Sequence, residues 1–429
     1  MRVDLGELVV IAGCAVALVT PDALADDEVV LERINESFVL ERDGRYLEAL
    51  VLIESIAEPG SYAQLVGERS GTLRAYMGDE VGAFEGFRAS YAGDEVASVT
   101  NLEGEPFNPE RAIEAIRILA ADHQVVMINE AHNVSRHRDF TRRLIEALNE
   151  DGFTAFAAEG FAPNVSGQVA SANGPTRTAS AYVHDPFFAE MIERAVEAGM
   201  DLVPYEVRRD QRCQPDCSPQ EYRWARELIQ AQNLAAYFEN NPSARMIVHV
   251  GYMHHAELVS ANDPNRGYMG GHFTRLTGID PLTIDQTHGT PRAHPPSRAL
   301  NDHIQSTYGI TESTVFYTSS GVAFSEARNI DLSVFHPEVG QMDGRPGWIF
   351  ASSAREPVVL SSALLPDTLP LLVQARPVGA NVDTIPVDQL LIETPSESFT
   401  LALPPGTYDL YVQRPEAENI RLEGPISVP

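Results

Sequence analysis

The chain has 429 residues, more than one ordinary core holds, so two or three domains are expected. Its 44% hydrophobic and 21% charged content is that of a globular chain, and a formal net charge of −30 argues against nucleic acid or anionic membrane as partners, since both need basic patches. Lysine is absent and all 31 basic residues are arginine, which excludes Schiff-base chemistry, pyridoxal chemistry and a P-loop.

The N-terminus reads Met1-Arg2, an apolar run from Leu8 to Thr20, then Ala23-Leu24-Ala25. The run is short for a membrane span, which takes roughly 20 apolar residues. It fits a secretory signal over 1–25 with cleavage after Ala25. Ile11-Ala12-Gly13-Cys14 resembles a lipobox and offers the rival, a lipid anchor at Cys14. Either route predicts a periplasmic or secreted protein. Cys213 and Cys217 then remain, and in an oxidising compartment they predict one disulfide across a turn containing Pro215.

Residues 26–107 carry helical spacing over Leu31–Leu40, Tyr46–Ile56, Tyr62–Tyr76 and Val81–Tyr91. The stretches from Gly44 and from Gly78 resemble a degenerate tetratricopeptide pair. From 108 to 364 strands and helices alternate. Strands are expected over Val125–Glu130, Thr154–Glu159, Asp201–Glu206, Arg245–Gly251 and Pro281–Gln286, with Thr314–Thr318 a further candidate. Helices are expected over Ser135–Asn149, where Ser135 would cap, and over Asp185–Ala198, Pro219–Glu239 and Gly271–Thr277. Continuous apolar strands alternating with helices predict a mostly parallel sheet flanked by helices. Residues 365–429 read as short alternating strands and predict a small β-sandwich accessory domain.

Ligands of a parallel sheet bind outside the carboxyl ends of its strands. Here those ends are repeatedly acidic: Asn129-Glu130-Ala131-His132, Glu159-Gly160, Tyr205-Glu206, Gly251-Tyr252-Met253-His254-His255 and Asp285-Gln286. Crowded carboxylates need a cation, and His with Asp or Glu around an open position fits a hydrolytic divalent-metal site. His249, inside the apolar run Met246–Val250, fits a core histidine as well as a ligand. His137 sits among Arg136, Arg138, Arg142 and Arg143, a pattern that reads as a solvated helix face. His184 is an outlying candidate.

Asn129-Glu130-Ala131-His132-Asn133 with Ala158-Glu159-Gly160-Phe161 resembles the opening of erythromycin esterase-like and ChaN haem-binding proteins. Gly251-x-x-His254 is similar to a motif of the related TraB/TIKI proteins, and Arg226-Glu227 with Ala231-Gln232-Asn233 resembles a helix of the esterase-like branch. The resemblance covers about 110–330. It implies His132 as general base, with Glu130 and Glu159 orienting it or binding metal, or His132, Glu159 and His254 as metal ligands. Asn129 stands where the family usually has glycine, and the second motif lacks the His-Asn-x-His of true erythromycin esterases. Macrolide hydrolysis is therefore not implied. The expected activity is metal-assisted hydrolysis of an ester or amide in a small molecule or peptide. Glu206, Asp285 and Arg226 are secondary members, Arg226 as a site for an anionic group or oxyanion. The alternative is haem or iron binding without turnover, with Tyr252, His254 or His255 as axial ligands.

Overall fold

The computed structural model describes residues 21–88 and 107–429, apart from 173, 181, 183, 214–216, 353 and 416. The apolar run and Cys14 lie outside the described residues. Four helices open the described chain: α1 (Pro21–Arg42), α2 (Tyr46–Glu54), α3 (Ala63–Tyr76) and α4 (Glu80–Arg88). They pair as α1 with α2 and α3 with α4. The second pair closes backbone on backbone: a methyl on Gly86 would meet the Gly67 carbonyl oxygen and Gly71 N at 2.8 Å. Only glycine permits that approach.

The middle of the chain builds a six-stranded parallel sheet from β1 (Val125–Glu130), β2 (Ala155–Ala158), β3 (Asp201–Val203), β4 (Met246–Gly251), β5 (Leu282–Asp285) and β6 (Leu332–Ser333), in the order β3-β2-β4-β1-β5-β6. Both faces are covered, which is why its long strands are mostly apolar up to their carboxyl ends. One face packs on α5 (Ala112–Ala120), α6 (Ser135–Glu150), α7 (Val165–Ala172) and α8 (Pro186–Glu197) through residues such as Ile116, Leu144 and Ile192. The other packs on α9 (Pro219–Asn240) and α10 (Met269–Thr277) through Leu234, Phe238 and Phe273. Register puts Glu130 beside Gly251 and Ala158 beside His249. The acidic strand ends thus share one edge.

Two differences from expectation concern strands. Thr314–Tyr317 is a strand but pairs antiparallel with Asn108–Arg111 in a separate ribbon. The sixth place is taken by Leu332–Ser333, whose two residues are too few to carry a periodic signal. The helix over α6 starts as expected, but Ser135 is its first residue and its side chain does not cap it.

Two sheets form the C-terminal unit. Glu356–Ser361, ahead of the expected start near 365, pairs with Ser398–Leu403. Leu371–Pro377 pairs with Asp388–Ile392 and Gly406–Arg414. Val373, Leu401 and Val412 lie in the shared core. This unit also supports the N-terminal helices: Leu47 and Leu50 of α2 pack with Leu372, and Leu391 N donates to the Met77 carbonyl at 2.9 Å. Cys213 and Cys217 are joined by a disulfide. Among the described residues no helix is long and apolar enough to cross a membrane.

Candidate functional site

Glu130 ends β1 with its carboxylate buried. Arg138, on the first turns of α6, donates Nε to Oε2 at 2.6 Å and Nη2 to Oε1 at 2.8 Å. His249 Nε2 donates to Oε2 at 2.8 Å and His132 Nδ1 to Oε1 at 3.0 Å. Burial alone would raise the Glu130 carboxyl, but Arg138, His249 and His132 hold it well below the usual carboxylate range. Arg138 also donates Nη1 to Asp185 Oδ2 at 2.7 Å, and Asp185 caps α8 through Phe187 N and Phe188 N.

An ionised carboxylate only accepts, so His132 carries a hydrogen on Nδ1. Nε2 makes no hydrogen bond to any described residue. The ring stacks on Tyr182, centroids 4.6 Å apart, and meets Tyr252 edge-on at 5.0 Å. The backbone of Gly251 lies against it. A methyl there would meet His132 Cε1 at 2.6 Å and Glu159 Oε2 at 2.7 Å. Glycine is what lets the histidine and the second carboxylate converge.

Glu159 follows β2 and accepts from Gly251 N and from Arg226 Nη2, each at 2.6 Å. Burial opposes its charge, but His254, Arg226 and His132 bring its pKa down to about 2. Arg226, on α9, bonds Glu206 through Nε at 3.0 Å and again through Nη2, while Nη1 lies 3.2 Å from His254 Nε2. His254 Nδ1 lies 2.8 Å from Glu227 Oε1, and Glu227 Oε2 accepts from Met269 N. Burial disfavours the charged His254, yet Glu227 and Glu159 outweigh it and raise its pKa.

Glu130, His132, Glu159, Glu206, Arg226, His249 and His254 are therefore brought together. His249 is a supporting residue: its Nδ1 lies 3.2 Å from Thr141 Oγ1 and its Nε2 on Glu130, so both nitrogens are engaged. Asp285 is not part of this cluster. Its carboxylate accepts from Asn129, Thr287 and His288 in a separate knot beside β1. His137 and Arg138 are buried rather than solvated; His137 Nδ1 accepts from Ala131 N, and Nε2 meets Thr290 Oγ1 at 2.7 Å. His184 pairs with Tyr46 OH at 3.1 Å under the N-terminal helices. Sequence reasoning did not identify Arg138, Asp185 or Tyr182. The adjacent pair Arg226-Glu227 on a half-buried helix was the available signal for Glu227.

The side chains present do not fit a divalent ion. Both Glu159 oxygens already accept hydrogen bonds, and the Arg226 guanidinium, a permanent cation, lies among Glu159, Glu206 and His254. Among the described residues no group of three His, Cys, Asp or Glu is placed to hold a metal. Axial haem ligation through His254 or His255 fits no better: His255 is fully enclosed, and His254 is pinned between Glu227 and Arg226.

No family model and no curated protein matches the chain. Among solved structures it is similar to the type III effector HopBA1, at 12% identity and a TM-score of 0.33, over 55% of this chain and 99% of that one. A structure described as bacterial protein toxins is similar at 16% identity and a TM-score of 0.33, covering 59% of this chain and 57% of that one. RRSP, a MARTX toxin effector domain from Vibrio vulnificus CMCP6, is similar at 15% identity and a TM-score of 0.31, over 50% of this chain and 43% of that one.

Proposed function

We propose that the chain is an exported hydrolase that cleaves an ester or amide by activating water on His132 Nε2. The observation that carries this reading is the His132–Glu130 pair. Nδ1 is tied to a buried, fully solvated-by-protein carboxylate, which leaves Nε2 as a free base facing Glu159 and Gly251. His132 takes a proton from water as the water oxygen bonds to the substrate carbonyl carbon. Arg226 Nη1 keeps one N–H beyond the one aimed at His254 Nε2, and that hydrogen supplies a cationic donor for the resulting oxyanion. The proton on Nε2 then passes to the leaving oxygen or nitrogen as the scissile bond breaks. The resemblance of Glu130-x-His132 and Glu159 to erythromycin esterase-like proteins supports the same roles, and the disulfide supports export.

The test is hydrolysis of nitrophenyl esters and peptide amides by chelator-treated protein. Turnover should persist with chelator and fall by about 100-fold or more in His132→Ala. Absence of turnover across both substrate classes, or equal turnover in the variant, rejects the reading.

A further inference from the structure

A cleft open to solvent lies between α4 and the loops that follow β5 and β6. It is lined by Arg136, Arg292 and Thr290, with Phe84, Pro337 and Val339 as apolar walls. Arg136 is only 9% exposed, makes one hydrogen bond, Nη1 to the Pro337 carbonyl at 2.7 Å, and forms no ion pair with a described carboxylate. Burial lowers its pKa to about 10, against the pull of Glu80 and Asp139.

Three costs fall on this one side chain. It is a buried cation, it has no counter-charge in contact, and it is the second residue of the 16-residue helix α6, where the helix dipole repels cations. Arg292, on the same cleft, is held at φ 69, a strained conformation for a residue other than glycine. The two acids on the lining already accept from donors other than Arg136. Glu338 Oε1 accepts from Arg292 at 3.1 Å and Glu80 Oε1 from Trp348 Nε1 at 2.8 Å.

We propose that this cleft is an oxyanion-binding site in which Arg136 pairs with a carboxylate or phosphate group, its apolar neighbour packed on Phe84 and Val339. A bound anion supplies the missing counter-charge and is favoured by the α6 dipole. The proposal does not rest on the hydrolase reading, since among the described residues Arg136 and Arg292 make no hydrogen bond to Glu130, His132 or Glu159.

The experiment is calorimetric titration and thermal melting of the whole chain with inorganic phosphate and with acetate, at constant ionic strength set by chloride. Saturable binding of either anion, weakened at least 10-fold in Arg136→Met, supports the site; phosphate alone points to a phosphate ester and acetate alone to a carboxylate. Without anion, Arg136→Met should melt no lower than wild type, since it removes an unpaired buried charge. If that variant does not fold, Arg136→Gln takes its place. Failure of both anions to bind wild type, or unchanged affinity in the variant, overturns the proposal.

Discussion

Glu130 receives four donors, from Arg138 twice, His249 and His132, so removing any one leaves a buried carboxylate underpaired. Arg138→Met strands both Glu130 and Asp185, and a loss of about 3–5 kcal/mol is expected in denaturant unfolding. Gly251→Ala tests something else, because its methyl has nowhere to go but into His132 and Glu159. Turnover should fall sharply while stability falls by about 1–3 kcal/mol. His254 gives a pH signature. Its folded pKa is raised, so its contribution to stability is full below about 6.5 and is lost as pH rises through the folded value. The melting difference between wild type and His254→Gln should be largest near pH 6 and shrink in alkali; a gap that widens with pH contradicts the Glu227–His254 pair.

At the scale of elements, the strands and their acidic ends were legible because burial on both faces demands apolar runs and strand ends must turn polar. The α6 face was not. Arg136, His137 and Arg138 look solvated by pattern, and they are buried because α3, α4 and the loop around Thr290 cover them. Single-sequence periodicity carries no record of a cover that lies 50 or more positions away, as Ala83 does from Asn133. The α3–α4 contact is itself testable. In Gly86→Leu the side chain meets only backbone at its first carbon, so α4 must lift. A destabilisation of about 1–3 kcal/mol is expected, together with loosening of the apolar cluster that Phe84 and Tyr252 share with Val134.

Over the whole molecule, burial dominates the histidines. His137, His184, His255, His272 and His336 are all lowered, with His137 at about 3 and His255 at about 4, whereas His254 and His288 are raised. A depressed histidine stabilises above its unfolded value near 6.5 and that stability is lost as pH falls toward the folded value. Five against two means the melting temperature should decline between about pH 6.5 and 4, before most carboxylates titrate; a flat profile there counts against the neutral buried rings. The same global view explains why the sandwich was legible as strands but not as a support. Its docking surface is Leu372, Gln389 and Gln413, residues that read as ordinary members of alternating strands.

That docking has a temporal side. Leu47 N finds its acceptor on Gln413, 366 positions later, so α2 cannot settle until the last strands have been made. The helices that roof the acidic strand edge are thus the first part of the described chain to be synthesised and among the last to be secured. Until those strands have folded, the N-terminal roof stays unlatched and the pocket beneath it incomplete.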